Sequence, residues 1–208
     1  MDFAEIVKTR RAANFFDPNK PVPKKTIREL VEMAAQSPSS YNLQPWSLMI
    51  LEDPDDKARL RKLAFDQPKI TDAPVVFMVL GDRNAWKEGD KSFEMNFAEM
   101  VKSGMPEANK TGLAKTMVSL YGASQDHMQA FAVKNAGFFG MSLMYAAKSL
   151  GLESHPMDGF DHNGVKKEFN IPDNYWIPLI MSIGYFDESK EYPAPKWRKS
   201  FEDIVVSF

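Results

Sequence analysis

The chain has 208 residues, a net charge of −2 and no cysteine, and its 26 basic and 28 acidic residues are interspersed. With 44% hydrophobic residues, it is expected to fold as a single domain over residues 1–208. The lack of cysteine excludes disulfides and thiol catalysis, and the balanced charge gives no cationic surface for nucleic acid. No signal-peptide pattern and no apolar run of about 20 residues is present, so we expect a cytoplasmic protein that does not span a membrane.

Hydrophobic periodicity and turn residues predict helices and strands along most of the chain. In chain order they are a helix from Asp2 to Arg10-Arg11, a helix from Pro23 to about Gln36, a strand over Trp46–Leu51, a helix from Asp53-Pro54 to about Phe65, a strand over Val75–Leu80, a helix from about Gln125 to Leu150, a short strand over Glu153–Pro156, a helix over Asp161–Phe169, a strand over Trp176–Tyr185 and a terminal strand over Phe201–Phe208. The run at Val75–Leu80 is apolar throughout, which predicts a strand buried on both faces.

Four further features concern how these elements assemble. The helix over residues 125–150 is apolar around most of its circumference, which predicts a central core helix with small residues at close contacts. Pro178 indicates that its strand starts, or has an edge, at that point. Residues 82–122 lack strong start and stop signals, and we interpret them as a variable helical segment. The terminal strand lies far in sequence from the other strands, so it is a candidate for pairing with a partner subunit.

A polar loop separates the second helix from the first strand. It reads Ser37-Pro38-Ser39-Ser40-Tyr41-Asn42-Leu43-Gln44-Pro45-Trp46. Its hydroxyl, amide and backbone groups can all turn toward one ligand, such as a planar heterocycle. The same groups can instead bond their own backbone in an ordinary helix-to-strand connection. Taken alone, the loop favours neither interpretation.

Four cations flank the two ends of the chain, namely Arg10, Arg11, Lys196 and Arg198. If the fold brings the ends together, these cations can surround a phosphate dianion through charge-assisted hydrogen bonds. The alternative, which the spacing alone favours, is that the arginines support a helix C-terminus and the other two cations lie in a solvated tail. Because the chain has neither a G-x-G-x-x-G motif nor a P-loop, side chains would have to hold any phosphate.

Histidine gives no sign of a metal site. His127, His155 and His162 show no H-x-x-x-H or Cys/His spacing. We therefore expect no metal, and we interpret the three histidines as surface or packing residues.

Four stretches, in this order and at these intervals, resemble the flavin-binding segments of the nitroreductase family. They are Arg10-Arg11, the loop at 37–46, Pro156-Met157-Asp158-Gly159-Phe160 and Pro195-Lys196-Trp197-Arg198. The resemblance implies an α+β fold in which helices surround a central, mainly antiparallel sheet. It further implies a homodimer with tightly bound FMN at its interface, an exchanged C-terminal strand, and a C-terminal extension at residues 187–208 that wraps the partner.

The resemblance also assigns roles to individual residues. The residues at the FMN phosphate would be Arg10, Arg11, Lys196 and Arg198. The residues reaching the flavin from the other subunit would be Pro38, Ser39, Ser40 and Asn42. The turn at the ring edge would be Pro156-Met157-Asp158-Gly159, with a backbone N–H of Asp158 or Gly159 directed at N5, where hydride arrives and leaves. Gln67 lies where the family places an amide near the flavin pyrimidine, and segment 82–122 would border the substrate cavity as a lid.

Two residues of the first stretch depart from the family's usual pattern. Ala12 stands where a serine is common, and Asn14 stands where a cation is common. A cation beside N1 and the C2 carbonyl stabilises the reduced flavin, so Asn14 should disfavour reduction unless another charge compensates. Lys69 is the predicted substitute for that charge.

By this resemblance we expect an enzyme, an NAD(P)H-dependent nitroreductase-like flavin oxidoreductase. Hydride would pass from NAD(P)H through flavin N5 to an electron-poor small-molecule acceptor, such as a nitroaromatic or a quinone, in a ping-pong sequence. No side chain need act as a catalyst, because positioning and flavin tuning supply the catalysis. One alternative is a relative that reduces an enal, a halogenated phenol or free flavin. Another is a flavin-binding store or sensor without turnover. The neutral Asn14 is the reason for considering it.

Overall fold

The computed structural model describes residues 2–192 and 194–207. Within them, helices lie on both faces of one four-stranded sheet. The strands are β1 (Trp46–Leu51), β2 (Val75–Asp82), β3 (Glu153–Met157) and β4 (Tyr175–Gly184). The α-helices are α1 (Phe3–Thr9), α2 (Lys24–Ala34), α3 (Pro54–Leu63), α4 (Lys69–Asp72), α5 (Lys91–Lys102), α6 (Lys110–Tyr121), α7 (Gln125–Ser149), α8 (His162–Glu168) and α9 (Phe201–Ile204).

The sheet is antiparallel throughout, in the order β1-β2-β4-β3. Strand β2 lies inside it and is buried from Val75 to Gly81. Because successive side chains of a strand point to opposite faces, the odd-numbered residues from Val75 to Val79 join a core with α2 and α7. The even-numbered residues from Val76 to Leu80 join a second core with α3 and α8. The predicted α+β fold and the burial of this strand on both faces are confirmed.

Helix α7 is the predicted central helix, and its start is capped by the Ser124 side chain, which accepts a hydrogen bond from the backbone N–H of His127. Small residues set its distance from the sheet. A Cβ added at Gly81 of β2 would come within 3.0 Å of the Ala132 carbonyl oxygen, and one added at Gly140 would come within 3.0 Å of Leu179. Glycine at these two positions therefore allows helix and sheet to approach closely.

Pro178 lies in β4 where the hydrogen-bonded ladder is interrupted on both sides. Strand β3 pairs with β4 only up to Met157 opposite Ile180, and the register with β2 shifts between Val79 and Gly81. At this local edge and bulge, a residue without an N–H is tolerated. The edge predicted at Pro178 is thus found.

The segment at residues 82–122 is helical, as predicted. Asp90 caps α5 by accepting a hydrogen bond from the backbone N–H of Ser92. Phe93 and Phe97 of α5 pack with Leu43 and Met117 in a third core, beside the N-terminal half of α7. The segment therefore packs against the polar loop at Leu43, and its role as a lid stays a prediction.

Within a single chain, the described residues do not form the strand predicted over Phe201–Phe208, and Phe208 lies outside them. Residues Phe201–Ile204 form the short helix α9, and Val205–Ser207 have no regular structure. The reason is local: Ser200 and Asp203 form a reciprocal capping box that starts a helical turn. Within one chain this segment pairs with neither edge strand of the sheet, β1 or β3.

Two findings apply to residues 2–192 and 194–207 only. None of their helices combines the length and apolar character needed to cross a bilayer. No three side chains of the His, Cys, Asp and Glu types come together there as a set of metal ligands.

Candidate functional site

The path of the chain after α1 places Arg10 and Arg11 next to β3. Helix α1 ends at Thr9 because Arg10 turns into an extended conformation. Ala12 then forms a parallel bridge with Ser154, and the backbone N–H of Ala13 donates to the Ser154 carbonyl at 3.0 Å. Residues 10–14 therefore run along the outer edge of β3, beside His155 and Pro156.

The same segment also meets the C-terminal part of the chain. Phe16 bridges to Phe186, and the backbone N–H of Asp17 donates to the Tyr185 carbonyl at 3.0 Å. The chain leaving β4 thus passes the segment that follows α1. This contact brings the region of Lys196 and Arg198 back to the first helix.

A cavity of about 810 Å³ lies where these segments meet, a size typical of small-molecule sites. It contains seven of the predicted site residues, namely Arg10, Arg11, Ala12, Asn14, Pro156, Lys196 and Arg198. The other described residues of its wall are Val7, Lys8, His155, Ala194 and Pro195. The condition on which the four cations could surround one phosphate, that the fold brings the two ends of the chain together, is therefore fulfilled.

The charge of this wall is entirely positive. Five cations, with Lys8 added to the four predicted ones, line the cavity, and no described acidic side chain does. Within residues 2–192 and 194–207, none of the five forms an ion pair with a carboxylate. Uncompensated like charges repel one another, so an anion bound among them would lower the electrostatic energy of the fold.

His155 joins this cavity to Lys69 and was not predicted as a site residue. Its Nδ1 lies 2.8 Å from the Ala13 carbonyl oxygen, and its Nε2 lies 3.3 Å from Lys69 Nζ. Burial, reinforced by the charge of Lys69, lowers the pKa of His155, although the bond to Ala13 opposes the shift. The neutral ring therefore donates from Nδ1 and accepts from the Lys69 ammonium at Nε2. Burial lowers the pKa of Lys69 as well.

The contact between His155 and Lys69 shows that Lys69 lies behind the cavity wall and not in it. Lys69 does not belong to the cavity wall, whereas His155 and Asn14 do. Its positive charge therefore lies one residue behind the wall, with the imidazole between. His155 could have been recognised from its position in the sequence, because it directly precedes the turn that begins at Pro156 on the same edge strand.

The turn after β3 offers backbone donors beside the cavity. Pro156 is in the wall, and two residues of chain span at most about 7 Å, so Asp158 lies nearby. The backbone N–H groups of Asp158 and Gly159 have no acceptor among the described residues. Gln67 fixes the turn, since its Nε2 donates to the Gly159 carbonyl at 2.8 Å. The Met157 side chain instead packs in the core, so only its backbone can face a ligand.

The polar loop at 37–46 does not line this cavity. Asn42 instead borders a second one, together with Leu43, Gln44 and Trp46. Tyr41, Asn42 and Gln44 all have positive φ angles of 46–53°. Residues other than glycine adopt this left-handed backbone conformation at a cost in free energy, and such strain often marks a functional site.

Asn135 of α7 anchors the strained loop and was not found from the sequence. It is fully buried, and its Oδ1 accepts a hydrogen bond from the Ser40 backbone N–H at 2.9 Å. Its Nδ2 donates to the Phe131 carbonyl at 2.7 Å. Lys134 adds an exposed contact by donating to Ser40 Oγ at 2.8 Å.

We expect Asn135→Leu to lower the free energy of unfolding by about 1–3 kcal/mol, because it leaves the Ser40 backbone N–H without its acceptor. Urea unfolding at an unchanged m-value measures this loss. The exposed Asn109, whose side chain makes no capping bond, provides the control Asn109→Ala. If the two variants lose the same stability, Asn135 does not anchor the loop.

Comparison with known proteins identifies the family. The model of the nitroreductase family matches residues 7–185, which span the sheet, α7 and most of the cationic cavity. The chain belongs to the nitroreductase family. The predicted family is thereby confirmed.

Individual relatives agree with this membership. A Bacillus subtilis protein, MhqN, provisionally named an NAD(P)H nitroreductase, is 29% identical over 98% of this chain and 98% of its own. A Thermus thermophilus protein named NADH dehydrogenase is 31% identical over 89% of this chain and 86% of its own. These names support the predicted class of NAD(P)H-dependent oxidoreductase.

The solved structure of one relative contains a bound cofactor. The crystal structure of a candidate nitroreductase from Exiguobacterium sibiricum, in complex with FMN, superposes with a TM-score of 0.84. It is 26% identical and covers 100% of this chain and 98% of its own. The fold of this chain is therefore one on which a relative binds FMN.

Proposed function

We propose that this protein is an FMN-dependent oxidoreductase that uses NAD(P)H to reduce an electron-poor small molecule, such as a nitroaromatic or a quinone. The observation that carries the proposal is the cavity whose described wall residues include five cations and no carboxylate. A phosphate monoester dianion is the ligand group that such a wall suits best. The family and the FMN complex of a relative support the same cofactor.

The residues present fit FMN. Arg10, Arg11, Lys196 and Arg198 would hold its phosphate through side chains, as the lack of a glycine-rich phosphate loop requires. The free backbone N–H groups of Asp158 and Gly159 would donate to the ring edge beside Pro156. When bound, FMN would supply two-electron chemistry between NAD(P)H and an acceptor. The chain itself would bind, orient and shield the reactants.

We further propose that a second copy of the chain completes the site. In one chain the loop at 37–46 lines a different cavity from the cations, so the two predicted halves do not meet. The C-terminal extension also leaves large apolar side chains exposed, including Trp197 at 75% and Phe201 at 72%. Burial of this extension against a partner would remove apolar surface from water. The exchange of a C-terminal strand with a partner remains a prediction.

Initial rates at varied NADH or NADPH and varied acceptor test the proposed reaction. Because both substrates would use one flavin site in turn, double-reciprocal plots should give parallel lines with 1,4-benzoquinone or a nitroaromatic compound as acceptor. Intersecting lines would show that both substrates bind together and would refute the two-half sequence. If no acceptor is reduced at a measurable rate, the proposal that this protein is an enzyme is refuted.

A flavin store or sensor without turnover is the second candidate. One observation favours it: Asn14 lies in the cavity wall, where the family commonly has a cation, and Lys69 lies behind His155. A weakly stabilised reduced flavin would react slowly with NAD(P)H. Bound FMN that NAD(P)H does not reduce would favour this candidate.

A further inference from the structure

Tyr192 lies in the C-terminal extension, four residues before Lys196 of the cationic wall. Its ring is stacked on that of Phe186, with 3.8 Å between the ring centroids and 14° between the ring planes. Phe186 in turn forms a bridge with Phe16, so the Tyr192 ring rests on the part of the fold that follows α1. Tyr192 therefore joins the extension to the rest of the protein just before the extension reaches the cavity.

The hydroxyl of Tyr192 lies beside the buried carboxylate of Glu153, the first residue of β3. Glu153 is 8% exposed, and Lys148 at the end of α7 donates to its Oε1. Its Oε2 has no hydrogen-bond partner among the described residues, so this carboxylate can accept a further donor. Burial, reinforced by the carboxylate, raises the pKa of Tyr192, although the charge of Arg11 opposes the shift. The phenol therefore keeps its proton and is able to donate to Glu153.

Beyond Tyr192, no hydrogen bond holds the extension to the rest of the protein, as far as residues 2–192 and 194–207 show. The hydrogen bonds described for residues 194–207 join these residues to one another. The Arg198 guanidinium, for example, donates to the carbonyls of Lys196 and Trp197. The place of Lys196 and Arg198 in the cavity wall therefore depends on where Tyr192 fixes the chain.

We propose that Tyr192 is a positioning residue for the phosphate site, which fixes the C-terminal extension so that Lys196 and Arg198 meet the arginines that follow α1. The stacked ring supplies contact area, but stacking alone leaves the ring able to slide. The hydroxyl supplies the fixed point, because Lys148 holds the Glu153 carboxylate in place. Tyr192 itself need not touch the ligand. The inference rests on the proposed function only in naming FMN as the molecule that carries the phosphate.

Calorimetric titration of the apoprotein with FMN, riboflavin and inorganic phosphate tests the inference. Tyr192→Phe keeps the stacked ring and removes only the hydroxyl. We expect it to weaken the binding of FMN and of phosphate about fivefold and to leave riboflavin binding unchanged. Tyr192→Ala removes the ring as well and should weaken both at least as much. Tyr175→Phe is the control, because Tyr175 is half-buried at the far end of β4 and lines neither cavity.

A variant of the extension itself shows whether Tyr192 acts through the two cations. In the Lys196→Met/Arg198→Met background, Tyr192→Phe should have no further effect on FMN binding, because the groups that it positions have been removed. Residues that act through one another give such non-additive effects, whereas independent contacts add.

The outcomes separate this inference from the proposed function. If Tyr192→Phe binds FMN and phosphate as the wild type does, or loses riboflavin binding equally, the hydroxyl does not position the cations. A fivefold loss that persists in the Lys196→Met/Arg198→Met background would also overturn the inference, since Tyr192 would then act independently of them. A wild type that binds phosphate but not FMN would refute the proposed cofactor, and the phosphate titrations would still decide the role of Tyr192. A wild type that binds neither would refute both.

Discussion

Replacing Arg11 with methionine is expected to weaken FMN binding to the apoprotein about 10- to 100-fold and to leave riboflavin binding nearly unchanged. Arg11 is half-buried in the cationic wall, where its guanidinium has a long contact of 3.4 Å with the Lys8 carbonyl and no carboxylate partner among the described residues. A charge-assisted hydrogen bond contributes about 1.5–3 kcal/mol, and each 1.4 kcal/mol is a factor of ten in affinity. Riboflavin lacks the phosphate, so it reports every other contact.

Quenching of flavin fluorescence on titration with apoprotein measures both affinities. Lys196→Met should act in the same direction, whereas Arg28→Met, an exposed arginine of α2, should change neither affinity. A wild-type protein that binds FMN and riboflavin equally would show that the five cations do not hold a phosphate. Equal losses for both ligands in Arg11→Met would place the effect on the ring or on the fold.

Replacing Lys69 with methionine is expected to lower the two-electron midpoint potential of the bound flavin by about 20–40 mV. Reduction makes the flavin more negative, and Lys69 is the cation directly behind the His155 part of the wall. An interaction of about 1–2 kcal/mol between that charge and the reduced ring corresponds to this shift, at about 30 mV per 1.4 kcal/mol. With Asn14 neutral, its loss would have no nearby replacement at this part of the wall.

Anaerobic equilibration with reference dyes measures the potential. Lys69→Arg keeps the charge and should retain the wild-type value within about 10 mV. Lys62→Met, which removes an exposed lysine of α3, controls for net charge. An unchanged potential in Lys69→Met would remove Lys69 from the flavin site, and His155→Gln would then show whether the imidazole has any effect of its own.

Much of the fold could be predicted because its signals are local. The apolar run of β2, the circumference of α7 and the interruption at Pro178 each reflect burial on particular faces, which periodicity reports directly. The terminal strand failed because a strand depends on an edge elsewhere, whereas the Ser200–Asp203 capping box acts within four residues. Local hydrogen bonds therefore prevailed over β propensity at that end.

The site could be predicted only in part, for a related reason. The cations at the two chain ends are recognisable as residue types, but their meeting depends on the bridge from Ala12 to Ser154, which no local pattern reports. His155 was interpreted as a surface or packing residue because its importance comes from Lys69 and Ala13, which are distant in sequence. Asn135 is a polar residue on a core helix, and only its tertiary contact with Ser40 gives it a role.

The most direct test of the account is the visible absorption spectrum of the purified protein, recorded anaerobically before and after addition of NADH or NADPH. The account predicts a flavin spectrum that bleaches with either or both nucleotides and returns when a quinone is added. A flavin spectrum that persists with both would support the store or sensor and would make Asn14→Lys the next variant to measure. A colourless protein that takes up no added FMN would contradict the proposed cofactor and the function built on it.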